Sequence, residues 1–223
     1  MLCIIQARMS STRLPGKMLM EINGKTLLNR VIERVSLSKN ITKIIVATSD
    51  KREDDNIEVQ CKSLDIKCYR GNLKNVAKRF MEVILIEKAS SFVRINGDSP
   101  LIPPSIIDKA VNYFENNDCD LVTNVFPRTF PKGFSVEVIS SESFIQINSN
   151  LNQNQQEHIT KKYYDNPKKF KIINITSPTN YSNINFCVDT QSDLKKIDNL
   201  LSNNEDFEYN WEEFCKNQIG TRC

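Results

Sequence analysis

The sequence predicts an α/β protein, a three-layer α/β/α sandwich around a mainly parallel, Rossmann-like sheet. Three observations carry that expectation. Short apolar runs such as Leu2-Cys3-Ile4-Ile5 and Ile44-Ile45-Val46-Ala47 recur along the chain, as strands buried on both faces require. Segments with the i, i+3, i+4 spacing of amphipathic helices separate them. Polar loops rich in cations or carboxylates follow directly after strands, where open α/β sheets bind ligands.

The elements follow in order. Leu2-Cys3-Ile4-Ile5 is the first strand, and a polar loop runs from about Gln6 to Lys17. Leu27, Leu28, Val31, Ile32 and Val35 then repeat with helical spacing. A strand at 44–47, a helix over 54–64 and a strand at 66–69 come next. Val76, Phe80, Val83, Ile84 and Ile86 mark another helix. Phe92-Val93-Arg94-Ile95 is a strand that ends at Asn96-Gly97-Asp98. Pro103-Pro104-Ser105 opens a helix whose apolar face carries Ile106, Ile107, Ala110, Val111 and Phe114. Leu121-Val122 is a further strand. Such alternation of strand and helix builds a sheet covered on both faces.

Beyond residue 125 the pattern changes. Residues 126–133 form a loop punctuated by Pro127, Pro131 and Gly133. Residues 135–139 alternate like a half-exposed strand, and 172–175 and 184–188 read as later strands. Thr190 and Asp193 have the spacing of a helix-capping box. The tail from about Phe207 carries the single tryptophan, Trp211, in a short amphipathic helix. The expected organisation is one domain over 1–223, with 126–165 as a substrate-binding or dimerisation excursion. Exposed Trp211 or the 126–139 segment would serve an interface.

Composition excludes several functions. Thirty Lys and Arg against 27 Asp and Glu leave a net charge of +3, without the basic stripe of a nucleic-acid binder. No apolar run is long enough to insert in a membrane, and no basic n-region of a signal peptide precedes the first strand. The seven cysteines are scattered without CxxC spacing beside a single histidine, which argues against a zinc site. Unpaired thiols in apolar runs, Cys3 and Cys187 among them, fit the reducing cytoplasm.

The most informative segment is Gln6-Ala7-Arg8-Met9-Ser10-Ser11-Thr12-Arg13-Leu14-Pro15-Gly16-Lys17. It places three cations, three hydroxyls and a glycine directly after a strand. Arginine forks match phosphate oxygens, lysine adds a point charge, and loop N–H groups join them. A triphosphate suits that set. The loop is not a Walker A motif, because Ser11 and Met18 stand where that motif has a glycine and a Ser/Thr. Two aspartates at the ends of other strands, Asp98 in Asn96-Gly97-Asp98-Ser99-Pro100 and Asp189 in Phe186-Cys187-Val188-Asp189-Thr190, read singly as a turn former and a helix-entry residue. Together, after the basic loop, they suit the carboxylate pair that Mg²⁺ takes alongside substrate phosphates. Asp118-Cys119-Asp120 also spells the DxD of metal-dependent glycosyltransferases. Its place between a helix end and a strand start assigns it to turn chemistry at the opposite edge of the sheet.

The stretch QARMSSTRLPGKML at 6–19 resembles the signature of the acylneuraminate/3-deoxy-manno-octulosonate cytidylyltransferase family. NGDSPLI at 96–102 and CVDTQSDL at 187–194 are similar to its second and third motifs. RG at 70–71, KGFSVEV at 132–138 and EHIT at 157–160 resemble its spore-coat polysaccharide branch. The motifs keep the family's order over about residues 2–200. The resemblance implies a sugar-nucleotidyltransferase fold, CTP and Mg²⁺ as partners, an acidic sugar or sugar phosphate as acceptor, and a homodimer. It assigns Arg8 and Lys17 to the triphosphate, Arg13 to a further basic position, and Asp98 and Asp189 to the metal.

The candidate nucleotide site thus comprises Ala7, Arg8, Ser10, Ser11, Thr12, Arg13, Gly16, Lys17, Gly71, Asn75 and Arg79. Lys17, Arg8 and Asp98 are the candidate catalytic residues, and Glu137 and His158 the candidate acceptor contacts. The chain also departs from the family. The GGSKG form of the sialic-acid branch is absent. Asn72-Leu73-Lys74-Asn75 replaces the acidic pair after RG, and Ser135 replaces an aspartate of the spore-coat branch.

The expected reaction is attack of a sugar oxygen on the α-phosphorus of CTP with loss of pyrophosphate. A guanylyl- or other nucleotidyltransferase acting on a sugar 1-phosphate, a glycosyltransferase and a non-catalytic nucleotide-binding protein are the alternatives. Lys17 is expected in an open cleft, where its loss harms turnover far more than stability.

Overall fold

The computed structural model describes residues 1–203 and 211–220, with side chains through 216. Phe207 and Cys223 lie outside the described residues. Strand β1 (Leu2–Gln6) leads through the polar loop and a 3₁₀ turn (Lys17–Leu19) to a small hairpin, β2 (Glu21–Ile22) and β3 (Lys25–Thr26). Then come α1 (Leu27–Ser36), β4 (Lys43–Ser49), α2 (Asp55–Ser63), β5 (Lys67–Gly71), α3 (Val76–Glu87), β6 (Ser91–Asn96) and α4 (Pro104–Glu115). The second half holds β7 (Leu121–Thr123), β8 (Glu137–Ser140), α5 (Ser141–Asn148), α6 (Gln153–Glu157), α7 (Lys161–Asp165), β9 (Ile172–Asn174), α8 (Gln191–Asn203) and α9 (Trp211–Gly220).

Seven strands form one sheet in the order β5-β4-β1-β6-β8-β7-β9. β5, β4, β1 and β6 pair in parallel. β8 runs antiparallel to both its neighbours, β6 and β7, and β9 is parallel to β7. The chain winds outward from β1 to β5, then returns to place β6 on the other side of β1. The carboxyl ends of β1 and β6 therefore flank the point where strand order reverses, the crevice in which such sheets bind ligands.

Period-2 alternation divides the core between the two faces. Cys3 and Ile5 of β1, Val46 of β4 and Val93 and Ile95 of β6 pack with Leu28, Val31 and Val35 of α1 and Ile107 and Val111 of α4. Leu2, Ile4, Ile45, Ala47 and Phe92 face the other way, onto Phe80 and Val83 of α3 and Phe144 of α5. Full burial of one such side chain stabilises by about 1.5–3 kcal/mol, so a charge at Ile4 or Val46 would break the sandwich. Thr26 starts α1 by accepting the Asn29 N–H at 3.2 Å, a cap that contributes about 1 kcal/mol.

Three expectations are corrected. The strand expected half-exposed near 135–139 is β8, whose Glu137, Val138 and Ile139 are buried, because it is inserted between β6 and β7 rather than lying at an edge. Residues 184–188 form no strand ladder beyond one bridge, Lys132 to Asn185. The Phe186 N–H donates to Lys132 O at 2.8 Å and the Val188 N–H to Asp98 O at 3.0 Å. This extended segment is a strut pinned to the turn after β6. Trp211 is buried rather than exposed, with its ring 5.3 Å from Phe134, 5.9 Å from Tyr181 and 6.1 Å from Phe130. It closes the core and is not surface for a partner. The capping box holds: Thr190 Oγ1 accepts the Asp193 N–H at 3.2 Å, and the Asp193 carboxylate accepts the Thr190 N–H at 2.9 Å. Among the described residues no helix is long and apolar enough to cross a membrane.

Candidate active site

The loop after β1 is tied down at its start and within itself. Gln6 O accepts the Gly97 N–H at 2.8 Å, which joins the ends of β1 and β6. A Cβ at Gly97 would lie 2.9 Å from Gln6 O and 3.0 Å from Met18 Sδ, so only glycine permits this approach. Met9 O accepts the N–H groups of Ser11 and Gly16, both at 2.9 Å. That closes the loop upon itself and aims its side chains into one polar cleft of about 260 Å³.

Gln6, Arg8, Ser11, Thr12, Arg13, Lys17, Met18, Asn96, Gly97, Asp98 and Asp189 line this cleft. Lys17 is only 6 % exposed, a correction to the open-cleft expectation. Its Nζ donates to Val188 O at 2.7 Å, Asp189 Oδ1 at 3.1 Å and Asp98 Oδ2 at 3.3 Å. Two carboxylates and a strut carbonyl draw the ammonium inward because it neutralises both acids at once. Arg13 pairs with the other Asp189 oxygen at 2.9 Å, and Arg8 pairs with Glu157 at 3.2 Å across the mouth. Asp98 and Asp189, far apart in sequence, meet because Val188 N–H is anchored on Asp98 O.

Other sequence-derived candidates stand outside this cleft lining. Ala7 is buried with its N–H on Ala47 O, Gly16 donates its N–H to Met9 O, and Ser10 is half-buried in the loop. Asn75 caps α3 by accepting the Lys78 N–H at 2.8 Å. Arg79 is fully buried. Its Nη1 donates to Asn72 O at 3.0 Å, while Nε and Nη2 have no protein partner. Burial pulls this guanidinium down to about 10. Gly71 ends β5 over that side chain, where a Cβ would approach Arg79 Cγ to 3.1 Å.

Glu137 sits behind the cleft wall. Its carboxylate accepts from Arg94 at 2.5 Å and Tyr164 at 2.6 Å, and Arg94 also donates to Gln6 Oε1 at 3.2 Å. Burial and the Glu137 charge push the Tyr164 phenol far above its ordinary range, so it stays a donor. His158 is exposed at the end of α6, one residue from the Glu157 that meets Arg8. Asp118 pairs with Lys171, and Asp120 accepts the Lys171 N–H at 2.8 Å. Both lie at the amino end of β7, so the DxD is turn chemistry.

Three contributors escape sequence reasoning. Gln6 and Asn96 end neighbouring strands in register with each other, and polar residues closing two apolar strands were the available signal. Asp54 is a fully buried carboxylate whose Oδ1 accepts the Met9 N–H at 2.6 Å. The sequence marks it only as the start of a helix.

The cleft therefore presents three cations and two carboxylates at a strand-order switch point, an arrangement suited to a polyphosphate. Solved structures share the fold. A cytidylyltransferase from Leptospira borgpetersenii superposes with a TM-score of 0.84 at 27 % identity, covering 93 % of this chain and 96 % of that one. A CMP:2-keto-3-deoxy-manno-octonic acid synthetase complexed with CTP gives 0.68 at 19 % identity, over 91 % and 98 %. The spore coat polysaccharide biosynthesis protein SpsF of Bacillus subtilis is 31 % identical over 206 residues, 88 % of this chain and 84 % of its own. A family model described as cytidylyltransferase matches residues 2–216, and the chain belongs to that family of enzymes.

Proposed function

We propose that this enzyme transfers CMP from CTP to a 2-keto acid sugar, releasing pyrophosphate, in the synthesis of a surface polysaccharide or glycan. The observation that carries the reading is the convergence of Arg8, Arg13 and Lys17 with Asp98 and Asp189 in one cleft. The triphosphate would lie along the loop, with Arg8 and Arg13 at the rim and Lys17 at the floor. A sugar hydroxyl oxygen attacks the α-phosphorus and forms the new P–O bond. The bond to the β-phosphate oxygen breaks, pyrophosphate leaves, and the hydroxyl proton passes to solvent. The cations offset the charge that gathers on the leaving group, so catalysis is chiefly positioning and electrostatics.

The residues fit a Mg²⁺ ion. Asp98 and Asp189 are hard oxygen donors facing the same cleft, and among the described residues no third His, Cys, Asp or Glu joins them in a cluster. Mg²⁺ takes one or two carboxylates and fills its octahedron with phosphate and water. Bound there, it would supply charge neutralisation at the reacting phosphates. Mg²⁺ prefers hard oxygen donors, so the nearby Cys187 thiol does not suit it as a ligand. On the acceptor side, Glu137 acts through Arg94 and Gln6, and His158 stands at the rim beside Glu157.

Pyrophosphate release with Mg²⁺ tests this, crossing CTP, GTP, UTP and ATP against 2-keto acid sugars and sugar 1-phosphates. Release confined to CTP with an acid sugar is the expected result. Release with GTP and a sugar 1-phosphate would replace it.

A further inference from the structure

We propose that Asp54 is the positioning residue of the polyphosphate loop: a buried carboxylate that holds the Met9 peptide and, through it, both arms that carry Arg13 and Lys17. This rests on the reading of that loop as the triphosphate site. Asp54 is wholly inaccessible to solvent. A carboxylate in that state is tolerated only when donors surround it. Its Oδ1 takes the Met9 N–H at 2.6 Å. Its Oδ2 takes the Ser49 N–H at 3.1 Å and the Ser49 hydroxyl. Asp54 thus clamps the end of β4 to the loop after β1.

The clamp controls the loop because of what Met9 does next. The Met9 carbonyl accepts from Ser11 and Gly16 at once. One peptide unit is therefore shared by the arm leading to Arg13 and the arm leading to Lys17. No strand or helix ladder supports residues 8–16, and the loop concentrates like charges that repel one another. Buried Arg79, which lacks protein partners at Nε and Nη2, is attracted to Asp54 and repelled by Arg8, so the Asp54 carboxylate is the counter-charge to the cations on this side of the loop. A preformed array of donors binds polyphosphate without the cost of ordering the loop on each encounter.

Calorimetric titration of the full chain tests this with three probes: CTP, inorganic tripolyphosphate and cytidine. Wild type is compared with Asp54→Asn, which keeps the shape and removes the charge. Asp54→Asn is expected to bind CTP and tripolyphosphate about tenfold more weakly (about 1.4 kcal/mol), with cytidine unchanged. In turnover, KM for CTP should rise by the same factor and kcat per active site should fall, because the same peptide sets the arm of Lys17. A purely structural role would lower the active fraction and leave KM alone. Unchanged tripolyphosphate affinity, or equal weakening toward cytidine, overturns the proposal. If Asp54→Asn does not fold, Ser49→Ala releases the second anchor; a several-fold loss confined to the phosphate-bearing probes supports the clamp, and none refutes it. Wild type that binds neither CTP nor tripolyphosphate would overturn the site reading itself, and the clamp with it.

Discussion

Replacing Lys17 with methionine removes an ammonium while keeping most of the apolar stem. The structure specifies what is lost. Val188 O, a buried acceptor 2.7 Å from Nζ, is left without that donor, at a cost of about 1–3 kcal/mol. Asp98 and Asp189 lose a shared cation, but their side chains are 26 % and 28 % exposed. Solvent screening holds each of those pairs to about 1 kcal/mol or less, and Arg13 remains on Asp189. Lys17→Met should therefore destabilise by roughly 2–4 kcal/mol, which lowers the melting temperature by about 5–15 °C in a chain of this size. Under the proposed function the same change would remove a preorganised donor from the reacting phosphates, worth about 100- to 1000-fold in kcat. Scanning calorimetry gives the first effect, and pyrophosphate release per folded molecule the second. An unchanged melting temperature would show that Lys17 does not neutralise the acids. Normal turnover per folded molecule would remove it from catalysis.

Gly97→Ala should cost about 1–3 kcal/mol by overpacking, since its Cβ would lie 2.9 Å from Gln6 O; it should also displace Asp98 and cut pyrophosphate release at least tenfold. Asp118→Asn with Asp120→Asn should leave turnover unchanged, because both residues pair with Lys171 away from the cleft; a large kinetic loss would revive the DxD reading. Trp211→Ala should cost about 3–5 kcal/mol, and unfolding of the parent should red-shift the emission of this buried ring. Iodoacetamide at pH 7.5 should label Cys68 before Cys3, Cys61 and Cys215, as read by peptide mass spectrometry. A hydrogen bond from Cys61 and the Arg70 charge lower the Cys68 thiol pKa, so it holds more thiolate at that pH, whereas Cys61 and the buried Cys3 and Cys215 thiols are raised. Equal labelling of all four would contradict that ordering.

How much of this was legible in the sequence follows from where the information resides. Strands buried on both faces must be apolar throughout, so β1 and β4 announce themselves as runs. Helices bury one stripe, so α1, α3 and α4 show their period. The alternation of Ile184, Phe186 and Val188 was legible as burial but misleading as a strand. Those side chains enter the core while their backbone bonds go to a turn and to Lys132, and side-chain pattern carries no record of backbone partners. The inserted β8 failed for a related reason, because burial of Glu137 depends on Arg94 and Tyr164 arriving from other elements. The candidate site's residue types were legible only in combination: an aspartate at a strand end reads equally as a turn former or a helix-entry residue, and it was the run of cations after β1 that singled out Asp98 and Asp189. Lys17's burial was not, because it needs Asp98 and Asp189 to be known as neighbours. Asp54 was invisible for the same reason: an acid at a helix start reads as a cap, and its contact with Met9 exists only once the chain has folded.

The most direct test of the central claim follows the phosphorus atoms. The enzyme would be supplied with Mg²⁺, an acid sugar that supports pyrophosphate release, and CTP labelled with ³²P at either the α or the γ position. The account predicts that α label appears in a sugar-linked CMP product and γ label in pyrophosphate. Label from the γ position on the sugar, or α label remaining in free CMP with no sugar adduct, would contradict it.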